Sequence, residues 1–149
     1  MGKLIADNRK ARFNYEILED IECGIVLQGT ELKPLRHGKS SLSDAYAKFI
    51  DGELYLMQMH IPKYENGTYN NHDENRRRKL LLHKTELNRL SRKLDEKHLT
   101  AIPLKVFFNS KGFVKVIIGI GRGKKTHDKR DSIKKRDADR DLKRAMKNF

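Results

Sequence analysis

The sequence predicts a mainly β protein: a small antiparallel barrel of about six short strands, flanked by one short and one longer α-helix and followed by a basic C-terminal tail. Three observations predict it. Two pairs of apolar runs are each joined by residues suited to hairpin turns, one longer segment carries leucines at helical spacing, and apolar side chains thin out after Gly123. Successive hairpins lay strands antiparallel, and closing them into a barrel removes the free edges that invite edge-to-edge aggregation.

From the N-terminus, Arg12-Phe13-Asn14-Tyr15-Glu16-Ile17 alternates polar and apolar residues, as a strand with one face on a core does. Gly24-Ile25-Val26-Leu27 reads as a more buried continuation. After Gly29, Thr30 is placed to cap a helix of about two turns; Glu31 suits its positive first turn, Pro34 is tolerated early, and Gly38 stops it. Tyr46-Ala47-Lys48-Phe49-Ile50 and Glu53-Leu54-Tyr55-Leu56-Met57 flank Asp51-Gly52, a pair that accepts the positive φ angles of a two-residue turn. The stretch from Pro62 to Asn75, rich in Asn, Gly, Asp and Glu with Tyr64 and Tyr69 among them, reads as a long exposed loop. Leu87, Leu90 and Leu94 predict an amphipathic helix over 84–97 with its apolar stripe on the core. Ile102 to Phe108 and Phe113 to Ile120 form a second hairpin around Asn109-Ser110-Lys111-Gly112. The OB type is a common small barrel of this kind and binds oligonucleotides on one face, so the class expected is OB-like.

Charge points to the kind of partner. The chain of 149 residues carries 33 Lys and Arg against 20 Asp and Glu, a formal net charge of +13 that raises the local concentration of a polyanion. Residues 1–123 hold 22 basic and 15 acidic side chains, whereas 124–149 hold 11 and 5 with only Ile133, Leu142, Met146 and Phe149 as large apolar residues. Such a tail cannot offset the entropy of ordering by itself, so 1–123 is expected as the RNA-binding domain and 124–149 as a tail disordered when free. Gly121-Arg122-Gly123 reads as the hinge between them. No run approaches the roughly 20 apolar residues of a spanning helix, and Met1 to Asp7 is too short and polar for a signal peptide, so a cytoplasmic location away from membranes is expected. The sole cysteine, Cys23, excludes an internal disulfide and reads as a small buried hydrophobe.

Motifs for catalysis are weak. Gly119-Ile120-Gly121-Arg122-Gly123-Lys124-Lys125-Thr126 has the residues of a phosphate loop but not its spacing, and it leads into the charged tail rather than a core helix. The six histidines are scattered; His60 reads as structural, and His72 with Asp73 lacks further ligands at a recognisable spacing. A metal-dependent nuclease would use Glu31, Asp44 and Arg36, although Glu31 equally suits a helix first turn and Asp44 a turn. The clusters Asn8-Arg9-Lys10-Ala11-Arg12 and Arg76-Arg77-Arg78-Lys79, together with the tail and with Tyr15, Tyr64 and Tyr69, suit RNA better: cations hold phosphates while rings stack on unpaired bases. A ribosomal or RNA-chaperone protein of broad specificity is the other open reading.

Through the ordered segments Asn8-Arg9-Lys10-Ala11, Gly29-Thr30-Glu31-Leu32-Lys33, Leu35-Arg36-His37-Gly38-Lys39, Leu42-Ser43-Asp44-Ala45-Tyr46, Arg78-Lys79-Leu80-Leu81-Leu82-His83 and Gly123-Lys124-Lys125-Thr126-His127-Asp128-Lys129-Arg130 the chain resembles the SsrA-binding proteins, and the likeness runs from Asn8 to the end. The resemblance implies an OB-like barrel that, without catalysis or cofactor, binds the tRNA-like domain of tmRNA and delivers it to stalled ribosomes for trans-translation, the free protein being a monomer. It assigns Glu22, Leu81 and Lys115 to tmRNA, and the basic segment Asn8, Arg9 and Lys10 with Arg36 is expected at the same RNA. It assigns Gly123, Lys124, Lys125, His127, Asp128, Lys129, Arg130 and Met146 to the ribosome's empty messenger channel and decoding centre, with His127 against ribosomal RNA. Helical-neighbour pairs Asp137 with Arg140, Asp139 with Lys143 and Asp141 with Arg144 make the tail conditionally helical. The short segment before Asn8 and the variable Pro62–Asn75 loop depart from relatives, and no contacts are carried over there.

Overall fold

In the computed structural model, which describes residues 2–64 and 71–123, the chain forms seven strands and three helices: β1 (Leu4–Asp7), α1 (Arg9–Asn14), β2 (Tyr15–Ile25), α2 (Gly29–Arg36), β3 (Tyr46–Ile50), β4 (Glu53–Met57), β5 (Arg78–Leu81), α3 (Lys84–Glu96), β6 (Thr100–Phe108) and β7 (Val114–Gly123). All pairings are antiparallel, and the mainly β class is as expected. From β6 the ladder runs through β3, β4, β5, β2 and β7, and β7 pairs back with β6, closing a ring. The edge of β6 opposite β7 is shared: Ala101 meets Ala47 of β3 at one end, while Lys105 to Phe107 meet β1 at the other.

The hairpin turns follow their sequences. Asp51 and Gly52 take φ angles of 51° and 79°, both in the left-handed region that the tight β3–β4 turn demands. At the β6–β7 turn, Asn109 Oδ1 accepts from the N–H groups of Lys111 and Phe113 at 3.0 and 2.9 Å, and Gly112 supplies the positive φ of 82°. Leu35, Leu54, Leu56, Met59, Ile61, Leu80, Leu90, Ile118 and Ile120 are fully buried inside the ring and under the helices. Each contributes about 1.5–3 kcal/mol of apolar burial. Leu87 and Leu94 pack beside Leu90, so α3 lies on the core by the leucine stripe that its sequence announces.

Several expectations need correction. The alternating run Arg12 to Ile17 is not one strand: Arg12 to Asn14 close α1, and only Tyr15 onward is extended. Asn8 decides this locally, because its side chain accepts the Ala11 N–H at 3.2 Å and starts a helical turn whose buried Ala11 packs on Ile102 and Leu104 outside the ring. Gly24 to Leu27 continues the strand as far as Ile25, where β2 ends after a bulge between Ile17 and Glu19, but the stretch is not more buried, since Val26 is exposed. The helix expected from Thr30 begins at Gly29 behind Gln28, whose N–H donates to Glu31 Oε1 at 2.7 Å. β1, α1 and β5 were not expected as elements, so the strands number seven rather than six and a third helix joins the two foreseen.

Gly121-Arg122-Gly123 is not a hinge either. The three residues continue β7 opposite Ile17, Glu16 and Tyr15, and Arg122 Nε donates to Glu16 Oε2 at 2.9 Å. A Cβ at Gly121 would lie 2.2 Å from the Glu16 carbonyl oxygen, so this glycine serves a close strand approach. Gly123 is the last described residue of the strand, where the tail was expected to begin.

Candidate nucleic-acid interface

Alternation along β7 buries Val114 and Val116 and leaves Lys115 between them on the outer surface, as the sequence implies. Register then assembles the rest. Lys115 stands opposite Gly24 of β2, and Gly24 stands opposite Leu81 of β5, so the three form one row across three adjacent strands. Glu22 lies two residues before Gly24 and faces outward with it, because the intervening Cys23 is buried. A Cβ at Gly24 would sit 3.2 Å from Leu81 Cβ; the glycine lets the half-exposed Leu81 lie low across the strand.

These residues line one concavity of about 460 Å3, completed by Leu82, His83 and Glu86 where the chain passes from β5 into α3. Its border carries two carboxylates and one ammonium. Cys23 beneath it registers that field: burial first, then the charges of Glu86 and Glu22, push its thiol up to about 12, while Lys115 pulls the other way. The thiol is therefore an inert small hydrophobe, as its neighbours in sequence suggest. Sequence reading does not single out His83 and Glu86 for this face; their signal is position, since His83 is the N-cap of α3 two residues after Leu81 and Glu86 lies in the helix's first turn.

A second cleft, of about 730 Å3, has the opposite character. Lys33, Arg36, His37, Lys39 and Lys63 line it with Pro34, Pro62 and Tyr64, and none of these described lining residues carries a carboxylate. Lys33 Nζ lies 4.8 Å from the centre of the Tyr64 ring and donates to its hydroxyl at 3.0 Å. The Arg36 carbonyl accepts from Lys3 Nζ at 2.9 Å, fixing the end of α2 while the side chain stays exposed. Such a surface holds phosphate oxygens through charge. Lys33, Lys39 and Lys63 belong to it although sequence singled out Arg36 alone.

Other candidates divide. Arg9 and Lys10 are exposed on α1, but Asn8 is only 5% exposed. Its Nδ2 donates to the carbonyls of Leu42 and Pro103 at 3.3 and 2.9 Å while its Oδ1 caps α1, so it frames the fold and is removed from the RNA-facing set. The basic run 76–79 is likewise corrected. Arg78 is fully buried, its Nε donating to Glu31 Oε2 and its Nη1 to the Met59 carbonyl at 2.6 Å, and Arg76 Nη2 reaches Glu31 Oε1 at 2.5 Å. Arg77 is exposed over the Tyr55 ring, 5.1 Å away, and Lys79 lies 3.7 Å from Glu53.

The nuclease arrangement does not assemble. Glu31 is fully buried in its arginine pair, Arg36 lies on the basic cleft, and Asp44 lines a different hollow with Gln58 and Asn75. His72 is buried with Nε2 at 2.8 Å from the Ile61 carbonyl and Nδ1 at 2.9 Å from Thr30 Oγ1, a structural use of both ring nitrogens. His60 Nδ1 lies 3.3 Å from Asn75 Oδ1, and no three His, Cys, Asp or Glu side chains gather as metal ligands among the described residues. Tyr69 and the tail positions Lys124, Lys125, His127, Asp128, Lys129, Arg130 and Met146 lie outside the described residues.

The model of the family described as "SmpB protein" matches residues 5–148 of the chain. Curated relatives named "SsrA-binding protein" include one from Gloeothece citriformis, 52% identical over 99% of this chain and 95% of its own length. Another, from Enterococcus faecalis, is 47% identical over 99% of this chain and 95% of the relative. A solved structure described as "tmRNA-SmpB: a journey to the center of the bacterial ribosome" superposes with a TM-score of 0.69 at 52% identity, covering 84% of this chain and 87% of that one.

Proposed function

The chain belongs to the SmpB protein family, and on that premise we propose that it binds the tRNA-like domain of tmRNA and delivers it to stalled ribosomes for trans-translation. One observation carries the residue assignment: Glu22, Leu81 and Lys115, drawn from three strands far apart in sequence, border one concavity around Gly24. Lys115 neutralises a phosphate, Leu81 offers an apolar surface to a base, and Glu22 accepts hydrogen bonds from a ribose or base edge. Arg36 with its neighbouring lysines, and Arg9 and Lys10 on α1, hold further stretches of RNA backbone by charge.

The work divides between 1–123, which holds tmRNA, and 124–149, which enters the empty messenger channel with Lys124, Lys125, His127, Asp128, Lys129, Arg130 and Met146 against ribosomal RNA. The protein acts by binding and not by catalysis, in the cytoplasm where ribosomes are. Sequencing the RNA that copurifies with the chain from its own cells tests this. Strong enrichment of tmRNA, with preference for its tRNA-like domain over single-stranded RNA of equal length, supports the reading. Indiscriminate recovery of RNA points to a general chaperone, and magnesium-dependent cleavage of the bound RNA restores the nuclease.

A further inference from the structure

We propose that the concavity around Gly24 reads one unpaired guanine, with Glu86 as the acceptor for its Watson–Crick edge; this rests on the assignment of that face to tmRNA. In a chain of net charge +13, a purely phosphate-binding surface is lined by cations, as the Arg36 cleft is. The Gly24 concavity instead carries Glu22 and Glu86 against Lys115, so its floor favours groups that donate hydrogen bonds. Among the bases only guanine presents two adjacent donors, N1–H and N2–H2, matched to the two oxygens of a carboxylate. Adenine and cytosine set a donor beside an acceptor, and uracil flanks its N3–H with two carbonyls.

Placement orients the nucleotide. Lys115 and Glu22 stand on the neighbouring strands β7 and β2, where a phosphate and the adjoining 2′-hydroxyl lie side by side. From there a base extends over the half-exposed Leu81, whose low seat above Gly24 gives it an apolar face. Its far edge meets Glu86 in the first turn of α3. Glu86 is the more enclosed of the two acids, which suits a base edge rather than a ribose at the rim.

The sign of one substitution separates this role from a bystander's. Glu86→Gln raises the protein's net charge, so an acid that merely faces solvent would, on removal, leave RNA affinity unchanged or higher. A guanine acceptor would lower it, by about tenfold and with an unaltered salt slope. Kethoxal, which modifies guanine at N1 and N2, reads the contact directly on the tRNA-like domain of tmRNA. The wild-type complex is expected to protect one unpaired guanine that the Glu86→Gln complex, formed at saturating protein, leaves reactive. Should Glu86→Gln melt early by circular dichroism, Glu86→Asp retains the first-turn charge, shortens the reach and is expected to lose the same protection. Binding by the wild type with no guanine protected, or protection that survives both variants, overturns the inference and leaves tmRNA binding standing. Failure of the wild type to bind the tRNA-like domain overturns the functional reading itself.

Discussion

Glu31 and Arg78 are both fully buried and, 47 residues apart in sequence, join α2 to β5 through the bond from Arg78 Nε to Glu31 Oε2. Arg76 takes the other carboxylate oxygen at 2.5 Å, and the Gln28 N–H adds a further donor at 2.7 Å. A buried ion pair contributes modestly as a whole, yet removing Arg78 takes away the donor to the buried Glu31 Oε2 and leaves Arg76 and Gln28 to hold Oε1 alone.

Arg78→Ala is therefore expected to cost about 3–5 kcal/mol in urea unfolding. Acid should expose the same node. Burial pushes the Glu31 carboxyl up, but the Gln28 N–H and the two arginines outweigh it and hold the group below its ordinary 4.5. A depressed carboxyl stabilises the fold above its unfolded value and loses that contribution as pH falls through the folded value. Urea midpoints followed downward from pH 5 should fall more steeply for the wild type than for a Glu31→Gln variant, and parallel curves would deny the linkage.

The two glycines that end β7 should respond differently to alanine. At Gly121 the added Cβ meets the Glu16 carbonyl oxygen and must push β2 and β7 apart, whereas none of the described residues lies within 4 Å of a Cβ at Gly123. Gly121→Ala is expected to lower stability by about 1–3 kcal/mol. Gly123→Ala should leave the thermal midpoint nearly unchanged, and equal effects at the two sites would revive the hinge.

Lys115→Ala should weaken binding of the tRNA-like domain. If the ammonium neutralises one phosphate, the slope of log affinity against log salt also falls by about one unit. A gel-shift titration across salt concentrations measures both, and an unchanged slope would make Lys115 structural.

With its thiol pushed up to about 12 under the β2 surface, Cys23 should resist alkylation by iodoacetamide at pH 8 in the folded protein. Labelling should appear only with denaturation, monitored by mass; rapid native labelling would show that β2 opens locally.

Removal of residues 124–149 should leave affinity for the tRNA-like domain within a few fold while abolishing tagging of stalled products. A loss as large as that caused by Lys115→Ala combined with Glu22→Ala would erase the division of labour between body and tail.

What could be read from the sequence was what is decided locally. Asp51-Gly52 and the Leu87, Leu90, Leu94 stripe carry their own geometry, and alternation around Lys115 gave its outward direction without reference to any other strand. Arg78 misled because burial of a guanidinium depends on Glu31, whose position relative to it is set by the closed ring. Asn8 misled in the same way: among arginine and lysine it looks like part of a polar surface, yet its amide is fixed by carbonyls of Leu42 and Pro103. Four-residue β1 and β5 are too short to show a period. That Glu22, Leu81 and Lys115 belong together came from family likeness; only strand register shows that they are neighbours.

The row from Lys115 through Gly24 to Leu81 also bears on biogenesis. Its members are synthesised in the order 24, 81, 115: Gly24 and Leu81 meet through the β2–β5 pairing, and Lys115 joins them only when the late strand β7 docks on β2. A chain that stops before β7 thus carries the apolar part of the row without its cation. An RNA that engages only the completed row would draw the folding equilibrium toward the finished molecule.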